Sequence, residues 1–337
     1  MPRVPYICPA TSRPLSATDD GLLRDDGKIY PYLASDADLA HPVPDFLNLA
    51  EAGAGSRTSL GMYNTQAATA VYRNFLDWLF ATFRADEAAF RRDMAVRLRL
   101  SPGGCVLVTG CGLGDDIPAI LDLVGPTGEV HAQDLSPAMT HEAAAQWRRE
   151  HAEQAAQVWF STGDALHLPF ADGAFDAAFH FGGINLFDDV GQGIAEMNRV
   201  VRPGGRVVVS DEGIGPWLRD TDFGRMVITN NRLWAHAAPI ERLPPTATEV
   251  GLTWLLGNCF WLIDFTVAET LPAIDPDIGH KGWRGGSMRT RHLGQLEAVT
   301  PETRAKVIEA AAAAGISVHD WLERALGEQL PPSRDSG

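Results

Sequence analysis

The sequence predicts an α/β fold with a doubly wound, mostly parallel sheet that ends in an antiparallel hairpin. Strand and helix patterns alternate between residues 106 and 212, and such alternation implies parallel strands joined by right-handed crossovers. Two apolar segments, Val250 to Leu256 and Phe260 to Val267, are separated by Gly257 and Asn258, which is typical of a hairpin. The chain has 337 residues, 45% of them hydrophobic, which is enough for a large core.

Composition and charge argue against several classes of protein. The net charge of -15 argues against a general affinity for nucleic acid or anionic membranes, because the long-range field repels both. The N-terminus lacks the apolar core of a signal peptide, and the longest apolar run, Trp254 to Ile263, is interrupted and too short to span a bilayer. These features predict a cytoplasmic protein without a membrane span. The cysteines have no C-x-x-C spacing, which indicates reduced thiols rather than disulfides or zinc ligands; they are Cys8, Cys105, Cys111 and Cys259.

Three regions of the chain differ in pattern. Residues 1–60 are rich in proline, glycine and aspartate, which predicts an irregular N-terminal arm of turns and short strands rather than helices. Residues 61–268 form the predicted core domain, which begins with apolar and aromatic side chains at helical spacing from Thr65 to Leu100. This spacing predicts two helices. Tyr63, Tyr72 and Trp78 are candidates for a lid over the site; the alternative, which an aromatic stripe more often indicates, is that they belong to the core. Residues 269–337 form a predicted tail in which a loop precedes two helices.

A glycine-rich turn follows the first core strand. The strand Val106 to Thr109 is followed by Gly110, Gly112 and Gly114, and then by a helical pattern from Ile117 to Val124. Glycine permits the tight turn and the close approach of a nucleotide-like ligand to the main chain.

Two acidic residues in this turn argue against a dinucleotide as the ligand. Asp115 stands where a G-x-G-x-x-G fingerprint needs its last glycine, and Asp115 and Asp116 place carboxylates where a pyrophosphate would rest. A ligand with positive charge and no phosphate, such as S-adenosylmethionine, fits this pattern better.

Two more acidic residues follow the next strands. The predicted strand Glu129 to Gln133 ends at Asp134, whose carboxylate is placed to accept hydrogen bonds from ribose hydroxyls. The predicted strand Val158 to Ser161 leads to Asp164, a candidate acceptor for an adenine amino group. The alternative for Asp164 is a turn residue that caps its own backbone.

The ordered motifs resemble those of the class I S-adenosylmethionine-dependent methyltransferases, which have a Rossmann-like fold. The closest resemblance is to methyltransferase type 11, the ubiquinone and menaquinone biosynthesis type, over about residues 60 to 268. The residues that carry it are Gly110-Cys111-Gly112-Leu113-Gly114, Asp134, Gly163-Asp164-Ala165, Leu168-Pro169-Phe170 before Phe175-Asp176, and Glu196-Met197 through Arg202-Pro203-Gly204-Gly205.

The resemblance implies S-adenosylmethionine as the cofactor. One position departs from the family pattern, because Val108 stands where the family carries an acidic residue; Asp115 and Asp116 are candidates to replace it. The arm around Cys8 resembles a zinc-ribbon-like segment but retains one cysteine, so we expect no metal. The residues expected to contact the cofactor are Tyr63, Gly110, Cys111, Gly112, Gly114, Asp134, Leu135, Asp164, Ala165 and His180.

Methyl transfer by in-line displacement needs few catalytic groups beyond a base for the acceptor's proton. In a doubly wound sheet the site lies at the carboxyl ends of the strands, which selects His180, Asn185, Asp211 and Glu212. His180 is the first candidate for the base because its ordinary pKa is near neutrality; the alternative is a histidine hydrogen-bonded within the sheet. Asp211 and Glu212 could instead bind an acceptor, cap a helix or orient a histidine. Weaker candidates are His236, His280 and Trp283.

The predicted function is O-, C- or N-methylation of a small organic molecule. One alternative is a protein that binds S-adenosylmethionine for other chemistry. Another is a DNA-binding regulator, because the tail helices that open at Thr300-Pro301 and at Ser317, separated by Gly315, resemble a ribbon-helix-helix module. We expect these helices to serve dimerisation, in a homodimer, or packing onto the core, rather than DNA binding. The loop Phe181 to Asn185 also lacks the Asn/Asp-Pro-Pro-aromatic motif of nucleobase methyltransferases.

Overall fold

The computed structural model describes residues 2–33, 39–48, 53–65, 67–281, 286–293 and 299–329. The chain divides into two compact units, Met1–Leu271 and Pro272–Gly337. None of the helices in the described ranges is both long enough and apolar enough to cross a membrane.

The first unit is built on a seven-stranded sheet with the order β6-β5-β4-β7-β8-β10-β9. Strands β4 to β8 run parallel, and β10 pairs antiparallel with both β8 and β9. This topology confirms the predicted doubly wound sheet with its terminal hairpin. The strands are β1 Ser16–Ala17, β2 Gly21–Leu23, β3 Ile29–Pro31, β4 Cys105–Thr109, β5 Glu129–Asp134, β6 Val158–Thr162, β7 Phe175–Phe181, β8 Val201–Glu212, β9 Thr248–Leu255 and β10 Phe260–Thr266.

Both faces of the sheet are buried, which explains the continuous apolar runs of its central strands. Val106 and Val108 of β4 pack into one apolar cluster, and Leu107, between them, packs into the cluster on the opposite face. The helices are α1 Ala54–Tyr63, α2 Ala68–Phe83, α3 Glu87–Val96, α4 Ile117–Val124, α5 Pro137–Glu150, α6 Val190–Val200, α7 Asp222–Asn230, α8 Met288–Leu293, α9 Pro301–Ala313 and α10 Val318–Gly327.

Local signals explain why several helices begin where they do. Helix α4 has the predicted bounds. Helix α5 begins at Pro137 because the Ser136 hydroxyl accepts a hydrogen bond from the Met139 N–H at 3.2 Å. In the second unit, Thr300 and Ser317 cap α9 and α10 in the same way, as their sequence pattern predicts.

Helix α1 lies where the sequence predicts only turns and short strands. Its N-terminal residue Gly53 provides no side-chain cap, so the start signals of a helix are missing locally. The rest of the arm contains the small antiparallel sheet β1-β2-β3 and packs against the core, where Ile7 N–H donates to the Pro169 carbonyl at 2.9 Å.

The second unit contains the two predicted helices, α9 and α10, and the short helix α8 precedes them. Helices α9 and α10 pack on one another around Val307 and Ala311. Trp283, one of the weaker pocket candidates, lies outside the described residues.

Candidate functional site

A cavity of about 1220 Å³, including its open mouth, lies at the carboxyl ends of the parallel strands. The residues that follow β4, β5, β6, β7 and β8 all contribute to its wall. Its polar lining includes Asp134, Asp164, His180 and Glu212. His236 is not among the lining residues.

The glycine turn after β4 brings the main chain to the cavity. Gly110 and Gly112 have φ values of +60° and +54°, which favour glycine. A Cβ on Gly110 would lie 2.8 Å from His180 Cε1, and one on Gly112 would lie 3.0 Å from the Tyr72 hydroxyl oxygen. Side chains at these positions would therefore displace neighbours that form the cavity wall.

Two residues of the same turn, Cys111 and Gly114, lie outside the lining of the cavity. Cys111 packs into the apolar cluster beside α4. A Cβ on Gly114 would lie 2.9 Å from Ile117 Cδ1, so this glycine permits close packing of the turn on α4. We therefore assign structural roles to both, instead of the predicted contacts with the cofactor.

Asp134 is held by the backbone on both oxygens. Gly112 N–H donates to one carboxylate oxygen and Ser136 N–H donates to the other, each at 2.9 Å. Burial raises the pKa of Asp134, and these N–H groups oppose that rise. Because each carboxylate oxygen accepts more than one hydrogen bond, Asp134 is oriented by the chain and can still bind a ligand. Leu135 lines the cavity next to it.

Asp164 makes the local turn contact that was the alternative for it, and its role as an acceptor for a ligand stays a prediction. One carboxylate oxygen accepts the Leu166 N–H at 2.9 Å, which is the local turn contact. The other oxygen lies 3.5 Å from the Ser56 hydroxyl of α1. Asp164 and Ala165 also line the cavity, so the turn contact orients a carboxylate that a ligand can reach.

His180 is fully buried in the wall of the cavity. Its Nδ1 lies 3.0 Å from the Thr109 hydroxyl oxygen. Burial lowers the pKa of His180 to about 4, so the imidazole is neutral at physiological pH. His180 is therefore hydrogen-bonded within the sheet and also lines the cavity, and its role as a base stays a prediction.

Asp211 does not line the cavity. One of its oxygens accepts the N–H groups of Gly183 and Asn185 at 3.1 and 2.7 Å, and the other accepts the Glu212 N–H at 2.7 Å. The carboxylate thus shapes the loop that follows β7. Its predicted catalytic role would have to act through a neighbour, because its oxygens face the backbone.

Glu212 is 8% exposed and does line the cavity. Burial, and then the charge and hydrogen bond of Asp211, raise the pKa of Glu212 to about 10. Both causes favour the uncharged carboxylic acid over the carboxylate at this position in the cavity wall.

Asp115 and Asp116 are not available to a ligand. Arg73 pairs with Asp115 at 2.6 Å, and Arg91 pairs with Asp116 at 2.6 Å. Neither carboxylate lines the cavity. The sequence-based argument that they favour a positively charged ligand is therefore wrong, because arginines from α2 and α3 neutralise them.

Helix α1 covers part of the cavity and is anchored at both ends. Asp188, in the loop after β7, accepts the N–H groups of Gly55 and Ser56 at 2.7 and 3.1 Å. At the other end, the Tyr63 carbonyl accepts the Ser136 hydroxyl at 2.9 Å. Asp188 thus supplies the cap that the local sequence lacks. The residues of α1 that line the cavity are Ser56, Ser59, Leu60 and Tyr63.

We expect Asp188→Ala to loosen α1 and to weaken the binding of S-adenosylmethionine, the cofactor expected from the sequence, about fivefold. The loss of a helix cap costs about 1 kcal/mol, which corresponds to this change in affinity. Hydrogen exchange of residues 54–63 measures the first effect and calorimetric titration the second. Asp189→Ala is the matched control, because Asp189 caps α6 through the Gln192 N–H. Equal exchange of α1 in both variants would contradict the anchoring role of Asp188.

Comparison with known proteins identifies the family. A family described as a methyltransferase domain matches residues 106–205. Methyltransferase GfsG of Streptomyces halstedii is 31% identical over 194 residues, which are 55% of this chain and 67% of that protein. The chain belongs to the class I S-adenosylmethionine-dependent methyltransferase family.

A further relative and a solved structure are similar to this methyltransferase-family chain. The demethylmenaquinone methyltransferase of Thermus thermophilus is 37% identical over 129 residues, which are 38% of this chain and 56% of that enzyme. The S-adenosyl-L-methionine complex of phosphoethanolamine N-methyltransferase 2 from Haemonchus contortus has a TM-score of 0.51 at 14% identity, covering 68% of this chain and 62% of that one. The chain spans less than two thirds of the length of the first curated relatives that it matches, such as 38% of an uncharacterized protein in transposon TN4556 of Streptomyces fradiae.

Val108 stands where the family motif carries an acidic residue, and in this methyltransferase-family chain its surroundings are apolar. Val108 is 2% exposed and packs in an apolar cluster with Ala132 and Phe179, its partners on the two neighbouring strands. Nothing in that cluster would pair with a carboxylate. The chain therefore lacks the acidic group of the family motif, and neither Asp115 nor Asp116 replaces it.

Several site residues escape sequence analysis. Phe75 and Leu79 of α2 line the cavity, but their helical spacing indicates only that they are buried. Tyr72, a candidate lid residue from the sequence, lines the cavity with them, and Trp78 is not among the lining residues. Ser56 and Asp188 carry no motif at all. Only the packing of α1 and α2 over the strand ends brings these residues to the site.

Proposed function

We propose that this chain binds S-adenosylmethionine in the cavity and transfers its methyl group to a small organic molecule. The observation that carries the proposal is that Asp134 and Asp164 both line the cavity beside the main chain of Gly110 and Gly112. Carboxylates in this position accept hydrogen bonds from a nucleoside, Asp134 from the ribose hydroxyls and Asp164 from the adenine amino group. The bound cofactor supplies a methyl group activated by a positively charged sulfur.

The remaining cofactor contacts follow from the lining of the cavity. Leu135 and Ala165 provide apolar surface next to the two carboxylates, and Tyr63 closes the site from α1. His180, as a neutral imidazole next to Gly110, orients the glycine turn and the cofactor. Its low pKa makes it a weak proton acceptor at neutral pH, so we assign it a positioning role.

The rest of the cavity provides an apolar place for the acceptor. Exclusion of water favours an in-line displacement, because the reacting groups are held together in a medium of low dielectric. The side chains that form this apolar wall are Tyr72, Phe75, Leu76, Leu79, Phe181, Leu233 and Phe260.

We also propose a cellular compartment and an oligomeric state for this protein. All four cysteines are free and buried, which supports a reducing compartment such as the cytoplasm. A homodimer through the tail at residues 269–337 remains our prediction, and the oligomeric state in solution tests it.

Isothermal titration with S-adenosylmethionine and its demethylated product tests the cofactor assignment. We expect dissociation constants in the micromolar range for both. Incubation with a donor that carries an isotope-labelled methyl group then tests the reaction, since the label must appear in an acceptor. Binding without label transfer would favour the alternative of a cofactor-binding protein with other chemistry, and absence of binding would overturn the proposal.

A further inference from the structure

Two adjacent carboxyl groups stand at the end of β8, and within the described ranges no side-chain cation forms an ion pair with either of them. The Asp211 carboxylate accepts three backbone N–H groups, from Gly183, Asn185 and Glu212. These donors stabilise a negative charge on Asp211. Glu212 follows Asp211 in the chain, is 8% exposed and lines the cavity, and burial and the neighbouring Asp211 carboxylate raise its pKa.

The pair therefore holds one negative charge and one proton. Two unpaired charges in contact and away from water would repel strongly, so Glu212 keeps its proton and donates it to Asp211. The titratable groups around the pair do not change this balance, since His180 is neutral and burial raises the pKa of Tyr63. One oxygen of the Glu212 carboxyl is left as a hydrogen-bond acceptor in the cavity wall.

The surface near Glu212 favours an uncharged acceptor. Phe181, Leu233 and Phe260 line the cavity together with Glu212. An anionic acceptor would meet the negative charge of the pair with no cation to balance it, and its desolvation would be unfavourable. An apolar molecule with a hydroxyl group satisfies both the apolar wall and the free Glu212 oxygen.

We propose that Glu212 accepts a hydrogen bond from the hydroxyl of an uncharged, apolar acceptor, and that the Glu212–Asp211 pair takes up the proton of this hydroxyl. This inference rests on the proposed function. The acceptor O–H bond breaks, its proton binds the free oxygen of Glu212, and the proton that Glu212 already held passes to Asp211. The freed electron pair on the acceptor oxygen forms the bond to the methyl carbon, while the carbon–sulfur electron pair stays on sulfur. The pair changes from one negative charge to none as the positive charge on sulfur disappears, so atoms and charges balance.

Infrared difference spectroscopy tests the protonation state without any ligand. The spectrum of the wild type minus that of Glu212→Gln at pH 7.5 is expected to show the C=O band of a protonated carboxyl group. Glu196→Gln is the control, because Glu196 pairs with Arg199 at 2.7 Å and should show a carboxylate band. A carboxylate band for Glu212 would overturn the proposal.

Binding of naphthol and of naphthoate, in the presence of the demethylated cofactor, tests the choice of acceptor. We expect the wild type to bind naphthol at least about tenfold more tightly than naphthoate. Glu212→Gln should keep naphthol affinity within about threefold, since its amide donates to Asp211 and accepts from the ligand, whereas Glu212→Leu should weaken it about tenfold. Wherever label transfer to a hydroxyl acceptor is measured, Glu212→Gln should lower kcat about 100-fold or more with little change in KM, because the amide cannot pass on a proton.

Titration of the demethylated cofactor into the wild type and each variant distinguishes a failure of the proposed function from a failure of the role proposed for the carboxyl pair. Unchanged affinity in Glu212→Gln and Glu212→Leu shows that the fold and the cofactor site are intact. If the wild type does not bind this cofactor, the proposed function fails. If it does bind, but naphthoate binds as tightly as naphthol or Glu212→Leu keeps naphthol affinity, only the role of the carboxyl pair fails.

Discussion

Asp134→Ala is expected to weaken the binding of S-adenosylmethionine about 100-fold or more. Asp134 is the proposed acceptor for two ribose hydroxyls, and hydrogen bonds to a charged group contribute about 1.5 to 3 kcal/mol each. Loss of about 3 kcal/mol corresponds to about a 100-fold change in affinity. The variant also removes the acceptor for the N–H groups of Gly112 and Ser136, so the glycine turn loses one of its hydrogen bonds to the end of β5.

Isothermal titration with the cofactor and with its demethylated product measures this effect. Asp122→Ala is the control, because Asp122 is an exposed carboxylate on α4 and should bind as the wild type does. Retained affinity in Asp134→Ala would remove the basis for placing the ribose at β5.

Arg91→Met is expected to lower the free energy of unfolding by about 3 to 5 kcal/mol, which is the usual effect of removing one partner of a buried ion pair. The Arg91 guanidinium is buried, contacts Asp116 at 2.6 Å and Glu87 at 2.7 Å, and lies over the rings of Phe80 and Phe181. Burial raises the pKa of Asp116 and Arg91 opposes that rise. Without Arg91, Asp116 would be a buried carboxylate with no cation.

Urea denaturation followed by tryptophan fluorescence measures this loss. Arg92→Met, an exposed neighbour on α3, should change stability by no more than about 0.5 kcal/mol. Adding Asp116→Asn to Arg91→Met should recover part of the loss, because the unpaired charge is removed. Equal stability of the Arg91 and Arg92 variants would show that the buried pair does not hold α3 to the glycine turn.

The core of the site could be predicted from sequence because its signals are local. A strand followed by glycines at Gly110 and Gly112 specifies a turn in which the main chain meets a ligand, whatever lies around it. Asp134 was predicted at the site for the same reason, since strands that alternate with helices place their carboxyl ends at one edge of the sheet. The starts of α5, α9 and α10 were predictable because each cap lies within three residues of its partner.

The predictions that differ from the structure concern residues whose contacts come from segments distant in sequence. Asp115 and Asp116 look like free carboxylates until Arg73 and Arg91 are brought against them by the packing of α2 and α3. Helix α1 was missed because its cap, Asp188, follows β7 and reaches it only in the folded chain. Asp211 and Glu212 are equivalent acids as far as the sequence shows. In the structure, Asp211 accepts three backbone N–H groups, whereas Glu212 lines the cavity.

The sequence by itself determined the α/β class, the order of strands and helices, the glycine turn and the acidic residues at the strand ends, because each depends on spacing along the chain. Tertiary structure alone decided which charges are neutralised, which carboxyl lines the cavity and which helix covers the site. Those properties depend on burial and on contacts between remote segments, since the energy of a charge is set by the groups and the solvent around it and not by its neighbours in sequence.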